Sequence, residues 1–141
     1  MGSFSQYLEK KLLDHTLLVA VYNAASFTGG LKVWVALCTT TPTVANTGST
    51  IVEPVGGSYA RVDSTGLWDT ATIGTPTTTQ NNSAIDFITA TGSWGTINSF
   101  ALLDASSGGN MLAFGTLSAN KTVDSGDTVS FASGALVVSL T

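Results

Sequence analysis

Charge is what this sequence has least of. Among 141 residues only 5 are Lys or Arg and 9 are Asp or Glu, a charged fraction of 10% with a formal net charge of −4. The four lysines and the single arginine are scattered along the chain, so there is no basic footprint for a phosphate backbone, and binding to duplex DNA or RNA is not expected. Cysteine occurs once, at Cys38, which rules out an internal disulfide framework and a multi-cysteine zinc site. Inside an apolar run, that cysteine reads as a small core residue. Histidine also occurs once, at His15, and nothing in the pattern brings a serine and an acid to it as nucleophilic catalysis requires. No apolar run approaches the roughly 18–20 residues that span a bilayer, so no membrane partner is expected. Lys10 and Lys11 do precede "LLDHTLLVAVY", but Asp14 and His15 interrupt the run and no A-x-A-like site follows. We therefore expect synthesis in a cytoplasm without a signal peptide, and the sequons at Asn81 and Asn120 then carry no meaning.

What the chain has instead is apolar and hydroxyl-bearing residues. Hydrophobic residues make up 43% and the mean hydropathy is +0.31, with Thr, Ser and Gly filling most of the remaining positions. β-Branched threonines pack on a pleated sheet and still meet water, so the composition suits exposed faces of strands. Few charges would have to be desolvated on contact between copies, so it also suits self-association. The length fits one domain, 1–141, with a helix region over 1–28 and a β-sandwich over 31–141.

Periodicity gives the elements. In "SFSQYLEKKLLDHTLLVAVY" (3–22), Leu8, Leu12, His15 and Val19 recur at helical spacing, with Leu13 and Leu17 widening the apolar stripe. Ser3 followed by Gln6 is a capping-box pair, and "TGG" at 28–30 stops the segment. After Gly30 the period becomes two. "LKVWVALCTT" (31–40) puts Leu31, Val33, Val35 and Leu37 on one face and Lys32, Trp34, Ala36 and Cys38 on the other. "TTPTVANTGST" (40–50) reads as a loop, "SYARVDS" (58–64) as a strand, and the Thr-rich 65–84 as short strands joined by an exposed loop at 74–83. Further strands are expected over 84–91, 95–104, 110–117, 127–131 and 135–141. Short strands between Gly and Asx turns define a mainly β fold, an antiparallel β-sandwich, jelly-roll-like, carrying one N-terminal α-helix.

The polar cluster "DASSGGN" (104–110) between two apolar runs is a bend: Asp and Asn bond to nearby backbone, and Gly supplies positive φ. Neither it nor "DSGD" (124–127) has the full calcium-loop pattern with its bidentate Glu, so no metal is expected. Asp63 with Asp69, and Asp124 with Asp127, flank turns, and such pairs do not by themselves make glycosidase geometry. "GGSYA" is no nucleophile elbow, because no helix follows. No Gly-rich phosphate loop is present, so no nucleotide cofactor is expected. Trp34, Trp68 and Trp94 read as core or interface anchors before sugar platforms.

Three stretches in order, "YLEKKLLDHTL" leading to "VWVALCTTTPT", then "EPVGGSYARV", then "DFITATGSWGTINSFALLDASSGGNMLAFGTLSANKTVDSGDTVSFASGALVVSL", resemble small virion proteins of tailed bacteriophages, a family of minor tail or tail-fibre-like proteins. The resemblance covers most of the chain except 66–83 and implies a virion structural protein, not an enzyme, with no catalytic, metal or cofactor residues to carry over. Low charge and a small all-β chain without a repetitive shaft turn the expectation first to capsid decoration: a cement protein, a homotrimer bound to the major capsid protein. The alternative is a minor tail or tail-fibre-associated protein that contacts other tail proteins and a host surface through its Thr-rich loop 66–83. For assembly contacts the candidates are the helix leucines, Leu8, Leu12, Leu13 and Leu17.

Overall fold

The computed structural model describes residues 3–17 and 32–140. Along them run β1 (Ser3–Phe4), α1 (Gln6–Leu17), β2 (Trp34–Cys38), β3 (Val62–Asp63), β4 (Thr77–Gln80), β5 (Ile85–Asp86), β6 (Gly95–Leu103), β7 (Met111–Val123), β8 (Ser130–Phe131) and β9 (Val137–Leu140). The fold is mainly β and antiparallel throughout, with one short helix among the described residues. A five-stranded sheet has the order β1-β7-β6-β2-β3, and two two-stranded ribbons, β4-β9 and β5-β8, make the remaining pairings.

The period-two patterning of β2 sets both faces of the sheet. Val35 and Leu37 join Phe100, Leu102, Leu112 and Val123 on one side, where Ile85, Phe87, Val129, Leu136 and Val138 from the ribbon side of the molecule close the main core. Ala36 and Cys38 point the other way and pack with Ala101, Leu103 and Met111, covered by Trp34, Ile51 and Phe114. Both faces of the central strands are thus dry. An edge-to-face and stacked series of rings, Trp94, Tyr59, Phe87, Phe131 and Phe100, runs through the main core at centroid spacings of 5.3 to 6.3 Å.

The helix starts two residues later than its sequence suggested. Ser3 is extended and pairs with Phe114 as part of β1, so it cannot cap. Ser5 does: its Oγ accepts from Leu8 N at 3.3 Å and donates to the Met111 carbonyl, and its own N–H donates to the Leu112 carbonyl at 2.9 Å. The cap therefore also ties α1 to the start of β7. The expected continuation of the helix beyond Leu17, and its stop at 28–30, lie outside the described residues.

Two further expectations change. The strand over 58–64 contracts to Val62–Asp63, because Gly56, Gly57 and Ser58 all have positive φ (78°, 57° and 61°) and coil the chain just before it. In place of further strand, the Tyr59 hydroxyl accepts the Leu37 N–H at 2.9 Å and satisfies the edge of β2. The expected loop 74–83 contains β4, whose four residues pair with β9 from Thr77↔Leu140 to Gln80↔Val137. Its threonines are β-branched, and that preference outweighed the turn signals around them.

Candidate functional site

Among the described residues, no group of three or more His, Cys, Asp or Glu gathers to hold a metal ion, and no helix is long and apolar enough to cross a membrane. Asp124 and Asp127 fold a turn, with Asp124 N donating to Asp127 Oδ2 at 3.0 Å. Asp63 accepts from Thr65 N at 2.9 Å, and hydrogen bonds from Thr65 hold its carboxyl below the usual range. Burial, reinforced by the Glu53 charge, pushes the Cys38 thiol up to about 12, so Cys38 behaves as an inert core residue. Trp94 is buried with its indole N–H on the Gly57 carbonyl at 2.8 Å, and Trp68 donates to Ser64 Oγ at 3.2 Å. All three tryptophans pack, Trp94 and Trp68 with the main core and Trp34 against the second cluster.

The polar side chains that organise the molecule sit where three loops meet. Arg61, the only arginine, is 4% exposed in its side chain and lies 2.6 Å through Nη2 from Glu53 Oε2. Its Nε donates to Glu53 Oε1 at 3.0 Å, its Nη1 to the carbonyls of Ala105 and Gly108 at 2.9 Å each, and its Nη2 to the Gly48 carbonyl at 2.8 Å. Tyr59 donates to Glu53 Oε1 at 2.8 Å. A planar fork of donors is what lets one side chain hold a carboxylate and three carbonyls together. The loops it joins are 40–52 and the β6–β7 hairpin. They touch backbone to backbone, for a Cβ on Gly48 would lie 1.8 Å from the Gly108 oxygen. Sequence reasoning missed this pair. The signal available was a lone arginine eight residues after a glutamate inside "EPVGGSYAR".

The hairpin itself is the bend that its residues require. Asp104 N donates to the Asn110 carbonyl at 3.1 Å, Asp104 accepts from Asn110 N at 2.7 Å and Asn110 Nδ2 at 2.8 Å, and Gly108 and Gly109 take positive φ. Both ends of the cluster are consumed in closing the turn.

A second hairpin spans 67–82. Asp69 N donates to the Gln80 carbonyl at 2.9 Å, and Thr72 and Thr78 exchange N–H to carbonyl bonds at 2.7 and 3.1 Å. Its base is fixed by Asn81, fully buried, whose amide donates to the Ser83 and Ala132 carbonyls and accepts from Leu136 N, each at 2.8 Å. The Asn81 sequon is thus a structural amide. Beyond that base the chain is open to water: residues 69–75 are all exposed, and Ile73 is 93% exposed at the tip.

A groove of about 500 Å³ lies between β7 and the β8–β9 segment, lined by Phe100, Leu117, Phe131, Leu136, Val137 and Lys121 among others. It opens where β6 and β7 slip register: Ile97 faces Lys121 but Ser99 faces Thr116, so β7 carries extra residues at 117–120. Of the candidate assembly leucines, Leu8 packs half-buried against the main core while Leu13 is 60% exposed. The side chains of Leu12 and Leu17 lie outside what the structure describes. Of the two described side chains, one thus faces inward and the other outward.

The described residues form a small antiparallel β scaffold in which Arg61, Asp104, Asn110 and Asn81 hold loops and hairpins in place. The comparisons carry this further. The family model described as Podophage GP4 fiber I protein gp80 matches residues 3–139, and the chain belongs to that family of tail-fibre-like phage virion proteins. No curated protein matches it.

Proposed function

We propose that this protein is a fibre-associated component of a tailed-phage virion that contributes to host-surface attachment without chemistry of its own. The observation that carries the reading is the fibre family's match across nearly the whole chain, residues 3–139. Head decoration, the first expectation from composition, has no support in that family. The Thr-rich hairpin 67–82 favours the attachment role, because its outer part is exposed and uncharged beyond Asp69 while its base is locked by Asn81. The partners on this reading are other copies of the chain and neighbouring tail proteins, which low charge suits since little has to be desolvated.

The test is reconstitution. Purified protein is added separately to heads and to tails of a mutant phage lacking it, and bound copies are counted. A small fixed number on tails, with adsorption restored, is the expected result; a coat of copies over the heads would overturn the reading.

A further inference from the structure

The 70–76 tip has a chemistry that selects its partner. From Thr70 to Ile85 sixteen successive residues carry no charge, between Asp69 and Asp86. The arms are held in register by the Asp69–Gln80 and Thr72–Thr78 backbone bonds, and by Thr79 Oγ1 donating to the Asp69 carbonyl at 2.7 Å. One edge of the hairpin is zipped to β9 through β4. The tip is thus a presented turn on a fixed stem. Ile73 stands at 93% exposure, a level shared among the described large apolar side chains only by Val55.

Three classes of host surface would read such a tip differently. Polyanionic surface polymers are recognised by cations, and the tip has none. Sugars are gripped by aromatic faces, and the tryptophan nearest in sequence, Trp68, is half-buried at the base with its indole N–H committed to Ser64. An aliphatic side chain flanked by hydroxyls fits a protein surface with an apolar depression, the hydroxyls supplying hydrogen bonds at the rim. Resting on the attachment reading above, we infer that the 70–76 tip docks on an uncharged patch of a host surface protein, with Ile73 as the anchor entering the depression.

The experiment uses complete virions and measures the adsorption rate to host cells. Ile73→Ala is expected to slow adsorption about tenfold to a hundredfold, the range that burial of one such side chain represents, with virion content unchanged. Ile73→Val keeps most of the rate. Adsorption is expected to vary less than about twofold between roughly 0.05 and 0.3 M salt, to be lost on cells treated with proteinase K, and to persist on cells treated with periodate. An Ile73→Ala virion that adsorbs normally, or loss on periodate treatment alone, overturns the inference. Virions lacking the protein separate the two levels: if they adsorb normally, the attachment reading itself falls, and the tip inference with it. If they do not adsorb but Ile73→Ala virions do, only the tip inference falls.

Discussion

Arg61 holds Glu53 in a two-point grip, Nη2 to Oε2 at 2.6 Å and Nε to Oε1 at 3.0 Å, with the arginine side chain 4% and the glutamate 19% exposed. The geometry makes both charges necessary to each other. Removing Arg61 would strand the carboxylate and leave the carbonyls of Gly48, Ala105 and Gly108 without their donor. Arg61→Ala is therefore expected to cost about 3–5 kcal/mol, read as a lower denaturant midpoint at unchanged slope. Arg61→Lys should recover only a minor part, because an ammonium cannot reproduce the fork. A loss under about 1 kcal/mol for Arg61→Ala would show that the grip is not structural.

The helix cap can be assigned by comparing two serines. Ser5→Ala should cost about 1–2 kcal/mol, since it removes the acceptor for Leu8 N and the donor to Met111. Ser3→Ala should change stability by under about 0.5 kcal/mol, because the Ser3 backbone pairs with Phe114 as part of β1. Thermal melts of the two variants decide it, and the reverse ranking would restore Ser3 as the cap.

Alkaline pH should weaken the fold through Cys38 and Tyr59. Burial raises both in the folded state, Cys38 from 9.0 to about 12 and Tyr59 upward from 10.0, with the Glu53 charge as the second cause. Above pH 9 the unfolded thiol gives up its proton while the folded one keeps it. The stability from this group is thus full below pH 9 and lost as pH rises toward about 12. Melting temperature should fall over that window, and less steeply in Cys38→Ala. At pH 8 a thiol reagent should label Cys38 only after denaturant is added; rapid labelling of the native protein would contradict its burial.

Asn81 and Asn120 share a sequon but not a role. Asn81→Leu removes three buried hydrogen bonds and should cost about 3 kcal/mol or more. Asn120→Leu, on an exposed part of β7, should be near neutral. Equal effects in urea denaturation would refute the assignment of Asn81 as the fastener of the hairpin base.

Legibility in the sequence followed the range of the interaction. The 104–110 bend was readable because Asp104, Gly108, Gly109 and Asn110 act within a few residues of one another. β2 was readable as a strand because Val33 to Cys38 is apolar at every position between turn signals, while the full covering of its Ala36 and Cys38 face depends on Ala101, Leu103 and Met111 from other strands. The cap was misplaced by two residues because β1 claimed Ser3 through a partner, Phe114, more than a hundred residues away. β4 was read as loop because Pro76 and the Asn pair at 81–82 mask a strand that exists only against β9. The Glu53–Arg61 grip was invisible for the same reason: its geometry depends on carbonyls at 48, 105 and 108. Along the helix, Leu8 faces the main core and Leu13 faces water, a difference that depends on how α1 is docked and that helical spacing does not specify.

Because Arg61 grips main-chain oxygens, it is indifferent to which side chains those residues bear. Ser106 and Ser107 are exposed and lie between the gripped carbonyls of Ala105 and Gly108. Their identities can change freely so long as the flanking glycines and Asp104 remain. The hairpin is thereby a cassette, a position at which new letters can be written without rewriting the scaffold, and the natural site for an affinity tag or a reporter dye on the assembled particle.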